Sequence, residues 1–291
     1  GHAAKLAIVD RRGGIVAQTV ISSKYGPDEG ERFLDALCEA VRTLASGVGL
    51  DAIKGIGIGA PNGNVYSGCI EFAVNLPFAK DRKLPLKAGV EARLGLPVTV
   101  TNDANAAAVG EMTYGNARGM RNFIMMTLGT GVGSGIIING ELVYGHDGFA
   151  GELGHTRIVR RNGRRCGCGR EGCLETYCSA LGMARTAREW METGKYADSP
   201  LNSIDEISSR DVYEAAVKGD PLALDVFRYT GTMLGEACAD FVAFSAPEAI
   251  VVFGGLARAG EYLFAPMRAA MNANVLPMWK DKVAIIPSAL K

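Results

Sequence analysis

Apolar and polar residues alternate along the chain in a way that predicts strands and helices in turn. Aliphatic and β-branched residues fill "KLAIVD" and "IVAQTVI", and the glycine pair between them can take positive φ, which predicts a β-hairpin. Later, "FIMMTLG", "TGVGSG", "GIIING" and "ELVYG" predict a strand, a glycine-rich turn, a strand, a tight Asn139-Gly140 turn and a third strand. We interpret the second series as a repeat of the first with one strand more.

Helical spacing of apolar residues marks the segments between these strands. It is found in "ERFLDALCEAVRTLASGV" and in "PLALDVFRYTGTMLGEACADFVAFSA". A predicted buried strand and a glycine loop follow each of them, "GIGIGAP" in the first half and "EAIVVFGG" in the second. The pattern predicts an α/β protein with a mixed sheet in each half, residues 1–112 and 113–291, facing each other across a cleft. Ligands are expected at the carboxyl ends of the strands.

Charge and cysteine content exclude several classes of protein. The 31 basic and 31 acidic residues balance, so no overall positive field attracts nucleic acid, and we expect no nucleic-acid partner. No apolar run has the length of a membrane span, and no signal peptide is visible, so we expect no membrane association and a cytoplasmic location. Seven cysteines, an odd number, predict reduced thiols rather than a disulfide framework.

Three of these cysteines lie close together in "RRCGCGREGCLE". Cys166, Cys168 and Cys173 offer three sulfur ligands, and a structural zinc site needs four tetrahedral ligands. His155, in "GELGH", is the predicted fourth ligand, and Cys178 is an alternative. A loop of thiols that binds no metal is the other interpretation.

Two polar segments are candidates for catalysis and phosphate binding. "VTVTNDANAAAVGE" predicts a strand that runs into a helix, with Asn102 and Asp103 at the junction, where Asp103 is either a helix N-cap or a general base. "LGTGVGSG", with the hydroxyl of Thr130, and "FGGLARAG", which opens into a predicted helix, are either phosphate-binding loops or plain turns. Neither contains the lysine of a P-loop.

Taken together and in this order, "NDANAAAVGE", "LGTGVGSG", "GELGH" and "CGCGREGCLE" resemble the ROK family of sugar kinases, within the superfamily of sugar kinases, heat-shock proteins and actin. "GIGAPNGN" and "EFAVNLPF" resemble the bacterial glucokinases of that family most. The resemblance implies an actin-like (ribonuclease H-like) duplicated two-lobe fold with a cleft between the lobes. It also implies phosphoryl transfer from ATP, with Mg²⁺, to the 6-hydroxyl of a hexose, most simply glucose to glucose 6-phosphate.

The resemblance also implies roles for individual residues. Asp103 is expected to be the general base. The sugar hydroxyls are expected to bind Asn62, Asn75, Asn102, Asp103, Glu152, His155 and Glu175. A structural Zn²⁺ is expected on His155, Cys166, Cys168 and Cys173, and ATP on Gly1, Gly129, Thr130, Gly131, Gly254 and Gly255. Relatives are commonly dimers or tetramers, so a homodimer or homotetramer is expected.

The two ends of the chain depart from the family pattern. The first phosphate turn of the family, Asp-x-Gly-Gly-Thr, is represented at most by Gly1, with His2 where Thr or Ser would stand. We therefore expect that a first strand precedes Gly1, and that a terminal return helix follows "IIPSALK".

Three alternative functions stay open. The chain is a kinase for fructose, mannose, N-acetylglucosamine or N-acetylmannosamine, a sugar-responsive ROK transcriptional regulator without its DNA-binding domain, or a zinc-stabilised sugar-binding protein without catalysis.

Overall fold

A computed structural model describes residues 3–290, and these residues form two compact units. The first unit contains the chain up to Ala106 together with Tyr144–Ala150. The second contains Ala107–Val143 and the chain from Gly151 onward. The predicted lobes, 1–112 and 113–291, are each one continuous segment, whereas each compact unit consists of two segments that alternate along the chain. The boundary between the lobes therefore stays a prediction.

The first unit consists of short strand pairs and two helices that cover them. Its strands are β1 (Ala3–Val9), β2 (Ile15–Ser22), β3 (Ile56–Gly59), β4 (Ile70–Glu71), β5 (Lys83–Leu84) and β6 (Val98–Thr101). Its helices are α1 (Gly30–Ala45) and α2 (Leu86–Leu94). β1 pairs with β2 and β4 with β5, both antiparallel, whereas β3 and β6 are parallel. The predicted hairpin over β1 and β2 is confirmed.

The core of the first unit lies under one stripe of α1. Phe33, Leu34, Leu37 and Cys38 recur at helical spacing on this stripe and are buried. Phe33 stacks on Phe78, with ring centroids 4.7 Å apart, so the helix is fixed by aromatic packing rather than by its own propensity.

The second unit is built on a five-stranded mixed sheet. Its strands are β7 (Phe123–Leu128), β8 (Val132–Ile138), β9 (Glu141–Leu142), β10 (Ala249–Phe253) and β11 (Ala284–Pro287). Its order is β11-β10-β7-β8-β9. β10 is parallel to both β7 and β11, and β8 is antiparallel to both β7 and β9. The structure therefore confirms a mixed α/β architecture in this half of the chain.

Helices cover this sheet and bury most residues of its central strands. Helix α3 (Asp103–Tyr114) begins in the first unit, and the others are α4 (Glu175–Cys178), α5 (Ala180–Met191), α6 (Ser209–Val217), α7 (Pro221–Ser245) and α8 (Glu261–Asn274). β7 and β10 are continuous apolar runs because both of their faces are covered. Within residues 3–290, none of the helices combines the length and the apolar character needed to cross a membrane.

Two local predictions were wrong in detail. The glycine-rich turn was expected to span "TGVGSG", but β8 already begins at Val132, because Gly133 and Gly135 pair with β7 as strand residues. "GIGIGAP" was expected to be a buried strand, yet β3 alternates between half-buried and exposed positions. The loop "FGGLARAG" opens into a helix as predicted, because α8 begins at Glu261, directly after the loop and its 3₁₀ turn over Gly255–Ala259.

The turn between β8 and β9 follows its prediction. Asn139 and Gly140 have φ of 55° and 82°, the two positive values that a tight hairpin turn of this kind requires. The strand that follows is shorter than "ELVYG", because only Glu141 and Leu142 pair with β8.

We predict that Gly235→Val destabilises the second unit by about 1–3 kcal/mol, as overpacking of a close contact does. A Cβ atom at position 235 would lie 2.2 Å from the carbonyl oxygen of Met267 on α8, and that backbone atom cannot move aside easily. Urea unfolding measures the change. Gly47→Ala is the control, because a Cβ there would meet no atom of the described chain within 4 Å, and its expected effect is within about 0.5 kcal/mol. Equal stability of the two variants would contradict the packing described for α7 and α8.

Candidate active site and metal centre

Four predicted metal ligands lie together in the second unit. The Sγ atoms of Cys166, Cys168 and Cys173 and a ring nitrogen of His155 all lie within 4.8 Å of one another. The ring nitrogen that faces the sulfurs is Nδ1, 3.6 Å from Cys166 Sγ, and the sulfurs of Cys168 and Cys173 are 3.7 Å apart. This arrangement brings the predicted zinc ligands into one cluster.

The distances within the cluster fit a tetrahedral zinc ion. Zinc–sulfur bonds of about 2.3 Å at tetrahedral angles place neighbouring sulfurs about 3.8 Å apart, close to the 3.7 Å between Cys168 and Cys173. Three thiols and one imidazole are also the soft donors that zinc prefers in closed structural sites. The residues present therefore fit the metal.

The remaining candidate ligand lies outside the cluster. Cys178 is fully buried in α4, and its Sγ lies 3.7 Å from the carbonyl oxygen of Thr230, to which it donates. Its burial raises the pKa of its thiol, so this side chain stays protonated in an apolar environment. The arrangement favours His155 over Cys178 as the fourth ligand.

The three clustered thiols differ in acidity. Burial raises the pKa of Cys166 to about 12, and burial also raises the pKa of Cys173. Burial acts on Cys168 in the same direction, but hydrogen bonds from Arg170 and from the other two thiols outweigh it and lower the pKa of Cys168 to about 6. Cys168 is therefore a thiolate at neutral pH, whereas the other two thiols must lose protons when a metal binds.

Two carboxylates lie next to the cluster. His155 Nε2, the nitrogen that faces away from the sulfurs, is 3.9 Å from Glu152 Oε2. Glu175 begins α4, and its Oε1 lies 3.8 Å from Cys166 Sγ while its Oε2 accepts a 3.0 Å hydrogen bond from the backbone N–H of Val132. Since Val132 directly follows the predicted phosphate turn, Glu175 connects the metal cluster to that turn.

The phosphate turn itself, residues 129–131, is short and open to solvent. Gly129 N–H donates to the carbonyl oxygen of Gly131 at 3.0 Å, and Thr130 is exposed at the tip. A side chain at Gly131 would collide with Glu175 Oε2, which would lie 2.3 Å from its Cβ. A side chain at position 131 would therefore require the flexible end of Glu175 to move, whereas glycine leaves room for the carboxylate to bind Val132 N–H.

The second glycine loop follows β10, the parallel neighbour of β7. Gly254 has φ of 108°, and a Cβ at this position would lie 2.3 Å from the carbonyl oxygen of Leu128. Both glycine loops therefore lie side by side at the carboxyl ends of adjacent parallel strands, where α/β folds bind ligands. A Cβ atom at Gly129 or Gly255 would meet no atom of the described chain within 4 Å, so internal packing does not demand glycine at either position.

The candidate base lies in the first unit, at the junction of β6 and α3. Asp103 is exposed at the first position of α3, and Asn102 precedes the helix. The N–H of Ala104 lies 2.8 Å from Asn102 Oδ1 and 2.9 Å from Asp103 Oδ1, so both side chains share this donor. The N-cap interpretation thus applies to Asn102 at least as well as to Asp103.

The other two predicted sugar ligands of this unit differ in their surroundings. Asn62 has φ of 52°, and its Nδ2 donates to the carbonyl oxygen of Glu71 at 2.9 Å. Its turn lies close to the end of β6, because a Cβ at the adjacent Gly63 would be 2.3 Å from the Thr101 carbonyl oxygen. Asn75 is exposed in the loop between β4 and β5. The predicted phosphate residue Gly1, with its neighbour His2, lies outside the described residues.

Similarity to known proteins extends over the whole chain. The model of the ROK family matches residues 1–291. The chain belongs to the ROK family.

Relatives within the ROK family include enzymes and regulators. The glucokinase of Halalkalibacterium halodurans is 37% identical over 286 residues, which cover 97% of this chain and 86% of that protein. A crystal structure of a ROK family glucokinase from Streptomyces griseus in complex with glucose and AMPPNP is 34% identical, with a TM-score of 0.80 and coverage of 99% of this chain and 91% of that one. A ROK family transcriptional regulator homologous to the Escherichia coli Mlc protein is 28% identical, with a TM-score of 0.87 and coverage of 100% and 72%. The predicted actin-like α/β fold of the family is thus confirmed.

The sequence of this ROK protein gives no sign that Arg164 differs from its neighbour Arg165. Arg164 and Arg165 stand side by side before the first clustered cysteine, but only Arg164 is buried. Periodicity gives no signal in such an irregular loop, so the two arginines are equivalent in sequence and differ only in the folded chain.

We predict that Cys173→Ser abolishes stable zinc binding, since a hydroxyl replaces one of four required ligands. Metal analysis should give about one zinc per chain for the wild type and close to none for the variant. Cys69→Ser is the control, because Cys69 lies outside the cluster, and it should keep its zinc. A full complement of zinc in Cys173→Ser would refute the assigned ligand set.

We also predict that zinc is held more weakly as the pH falls. Cys166 and Cys173, whose pKa values are raised, release their protons when the metal binds, so added protons compete with the ion. Displacement of two protons lowers the apparent zinc affinity about 100-fold per pH unit near neutrality. Competition with a chromogenic chelator at several pH values measures this slope, and a flat profile would contradict thiol ligation.

Proposed function

We propose that this chain is an ATP-dependent hexose kinase that converts glucose to glucose 6-phosphate. The observation that carries the proposal is the contact between the metal cluster and the phosphate turn, in which Glu175 lies beside Cys166 and binds Val132 N–H. Groups suited to sugar hydroxyls and a backbone turn suited to phosphates are thereby joined in one unit. The similarity to two glucokinases, at 37% and 34% identity, supports the same reaction.

Asp103 is the proposed general base. Its carboxylate is exposed at the first position of α3, where a substrate hydroxyl can reach it. Oδ1 accepts the N–H of Ala104, so we assign the other oxygen, Oδ2, to the 6-hydroxyl of the hexose. That oxygen would take the hydroxyl proton as the sugar oxygen attacks the γ-phosphorus of ATP and the bond from that phosphorus to the bridging oxygen breaks, which releases ADP.

His155 and Glu175 are the proposed hydroxyl ligands with the best-defined orientation. A zinc ion held by His155 and the three cysteines would supply a fixed frame for the loop. If Nδ1 of His155 binds the metal, the imidazole carries its hydrogen on Nε2. This N–H then donates a hydrogen bond to a sugar hydroxyl. Glu152, 3.9 Å from that nitrogen, and Glu175 accept hydrogen bonds from neighbouring hydroxyls.

The remaining assignments follow the family resemblance. Asn102, Asn62 and Asn75 are proposed to bind further hydroxyls, of which Asn62 has its Oδ1 left for this role because its Nδ2 binds Glu71. Residues 129–131 and Gly254 with Gly255 are proposed to bind the ATP phosphates and nucleoside, through backbone N–H groups and the hydroxyl of Thr130. Mg²⁺ bound to the ATP phosphates supplies charge neutralisation, and we assign it no protein ligand.

A sugar-responsive regulator is the second candidate. It is favoured by the TM-score of 0.87 to the Mlc homologue, although that chain is only 28% identical and this chain covers 72% of it. Sugar binding without turnover would be its signature. We further propose a homodimer or homotetramer in the cytoplasm, where ATP is available and the seven unpaired cysteines remain reduced.

We predict that glucose is the preferred substrate among glucose, mannose, fructose, N-acetylglucosamine and N-acetylmannosamine. A coupled assay of ADP formation on the full-length protein measures kcat/KM for each sugar. Turnover of none of the five would refute the kinase proposal, and a higher kcat/KM for another sugar would refute the choice of glucose.

We predict that Asp103→Asn lowers kcat by about 10²- to 10⁴-fold, because an amide cannot accept the hydroxyl proton. Glucose binding, measured by calorimetry, should change little, since the amide keeps the size and the hydrogen-bonding oxygen of the side chain. Asp51→Asn, at an exposed position of the same unit, is the control and should keep wild-type kcat. Near-normal turnover of Asp103→Asn would overturn the assignment of the base.

A further inference from the structure

Arg164 is a buried cation at the base of the metal cluster. Its side chain is 8% exposed, and its guanidinium carbon lies 4.5 Å from the centroid of the Tyr177 ring. Its Nη2 is 2.5 Å from the Glu189 carboxylate, which is 42% exposed. The charge is therefore taken almost wholly out of water and matched by one carboxylate and one aromatic face.

Further hydrogen bonds are made by both terminal nitrogens of the guanidinium. Nη1 donates to the carbonyl oxygens of Thr176 at 2.9 Å and Gly182 at 3.2 Å, and Nη2 also donates to the Thr186 hydroxyl at 2.9 Å. Thr176 belongs to α4, and Gly182 and Thr186 belong to α5. One side chain thus holds two successive helices together.

The backbone of the same residue binds the loop that carries the metal ligands. We call residues 156–174 the cysteine loop. The N–H of Arg164 donates to Tyr177 Oη at 2.9 Å, and its carbonyl oxygen accepts the N–H of Gly172 at 2.9 Å. Arg164 is therefore bound to α4 on one side and, on the other, to the residue that precedes Cys173.

These contacts fix the two groups on which the proposed sugar site depends. Cys166 follows Arg164 by two residues, and Glu175 lies at the start of the helix that Arg164 holds through Thr176. The Cys166 sulfur and the Glu175 carboxylate are 3.8 Å apart in this arrangement. A displacement of the cysteine loop from α4 would separate them.

We propose that Arg164 is a positioning residue for hexose and metal binding, which holds the cysteine loop against α4 and α5 so that Cys166 and Glu175 keep their relative placement. The inference rests on the proposed function. The hydrogen bonds that the guanidinium makes within residues 3–290 go to Thr176, Gly182, Thr186 and Glu189 rather than to the predicted metal or sugar ligands, so Arg164 acts through the elements that it joins.

The groups that surround the Arg164 side chain require an arginine. Four acceptors and an aromatic face surround a planar group with several fixed donors, which a lysine ammonium on a flexible stem cannot match. Lysine would keep the charge near Glu189 but could not at the same time supply the donors that Arg164 gives to the Thr176 carbonyl oxygen and the Thr186 hydroxyl. The conservative replacement is therefore expected to restore only part of the function.

The test compares Arg164→Met and Arg164→Lys with Arg165→Met as the matched control, because Arg165 is the adjacent, exposed arginine. Three quantities are measured: the rate of zinc release to a chelator, KM and kcat for glucose, and the melting temperature.

Zinc release from Arg164→Met should be about 10- to 100-fold faster, as when groups that orient metal ligands are lost. KM for glucose should rise about 10-fold or more while kcat falls by less than about 3-fold, because the proposed base is not disturbed. Arg164→Lys should lie between Arg164→Met and the wild type, and Arg165→Met should match the wild type.

A merely structural role predicts a different result. It would lower the melting temperature of Arg164→Met but leave KM and zinc release, measured well below that temperature, at wild-type values, and this result would overturn the proposal. If Arg164→Met does not fold, Glu189→Gln takes its place, because it removes the charge of the carboxylate, which also pairs with the exposed Arg185, and leaves the carbonyl contacts of Arg164 intact. A smaller change of the same sign in zinc release and KM supports the proposal, and wild-type values of both overturn it.

The same measurements distinguish failure of the proposed kinase function from failure of the proposed role of Arg164. A wild-type protein that turns over none of the five hexoses refutes the kinase reaction, and zinc release then decides the role of Arg164 without any assay of activity. Wild-type turnover together with unchanged zinc release and KM in the Arg164 variants refutes the role of Arg164 alone.

Discussion

The convergence of four side chains that could hold a metal ion, all within 4.8 Å of one another, is the constraint on which the candidate site depends. Three thiols and an imidazole at these separations satisfy a tetrahedral zinc ion, and each ligand comes from an irregular segment or a short turn rather than from an α-helix or a named strand. Irregular segments have little intrinsic order, because few backbone hydrogen bonds hold them. Metal ligation would therefore provide the order that secondary structure does not.

The cluster is connected to the sheet through a small number of polar contacts. Glu175 reaches the phosphate turn through Val132 N–H, and Arg164 joins the cysteine loop to the two helices that follow it. The sheet beneath is rigid, because β7 and β10 are buried on both faces. The positions in the second unit that are proposed to bind sugar and phosphate are thus connected to the same sheet, and phosphoryl transfer depends on such fixed relative positions.

The sequence allowed most of the strands and helices to be predicted, because their patterns are local. The hairpin over β1 and β2, the Asn139-Gly140 turn and the long helix α7 all have distinct apolar periods or turn residues. The start of β8 was misplaced, since glycines at 133 and 135 look like a turn until their pairing with β7 is known. The clustering of His155 with the three cysteines was predicted from the sequence, whereas the exclusion of the alternative ligand Cys178 and the difference between Arg164 and Arg165 depend on burial in the folded chain.

The most direct test of the central claim is the affinity of the protein for glucose with and without its zinc. Titration calorimetry is done on the zinc-loaded protein, on protein freed of zinc by a chelator, and on protein to which zinc has been returned, with circular dichroism to show that the fold persists. If the cluster orients His155 and Glu175, glucose affinity falls about 10-fold or more on removal of zinc and recovers when the metal is restored. Unchanged affinity in the folded, zinc-free protein would contradict the account and reduce the cluster to a stabiliser of its own loop.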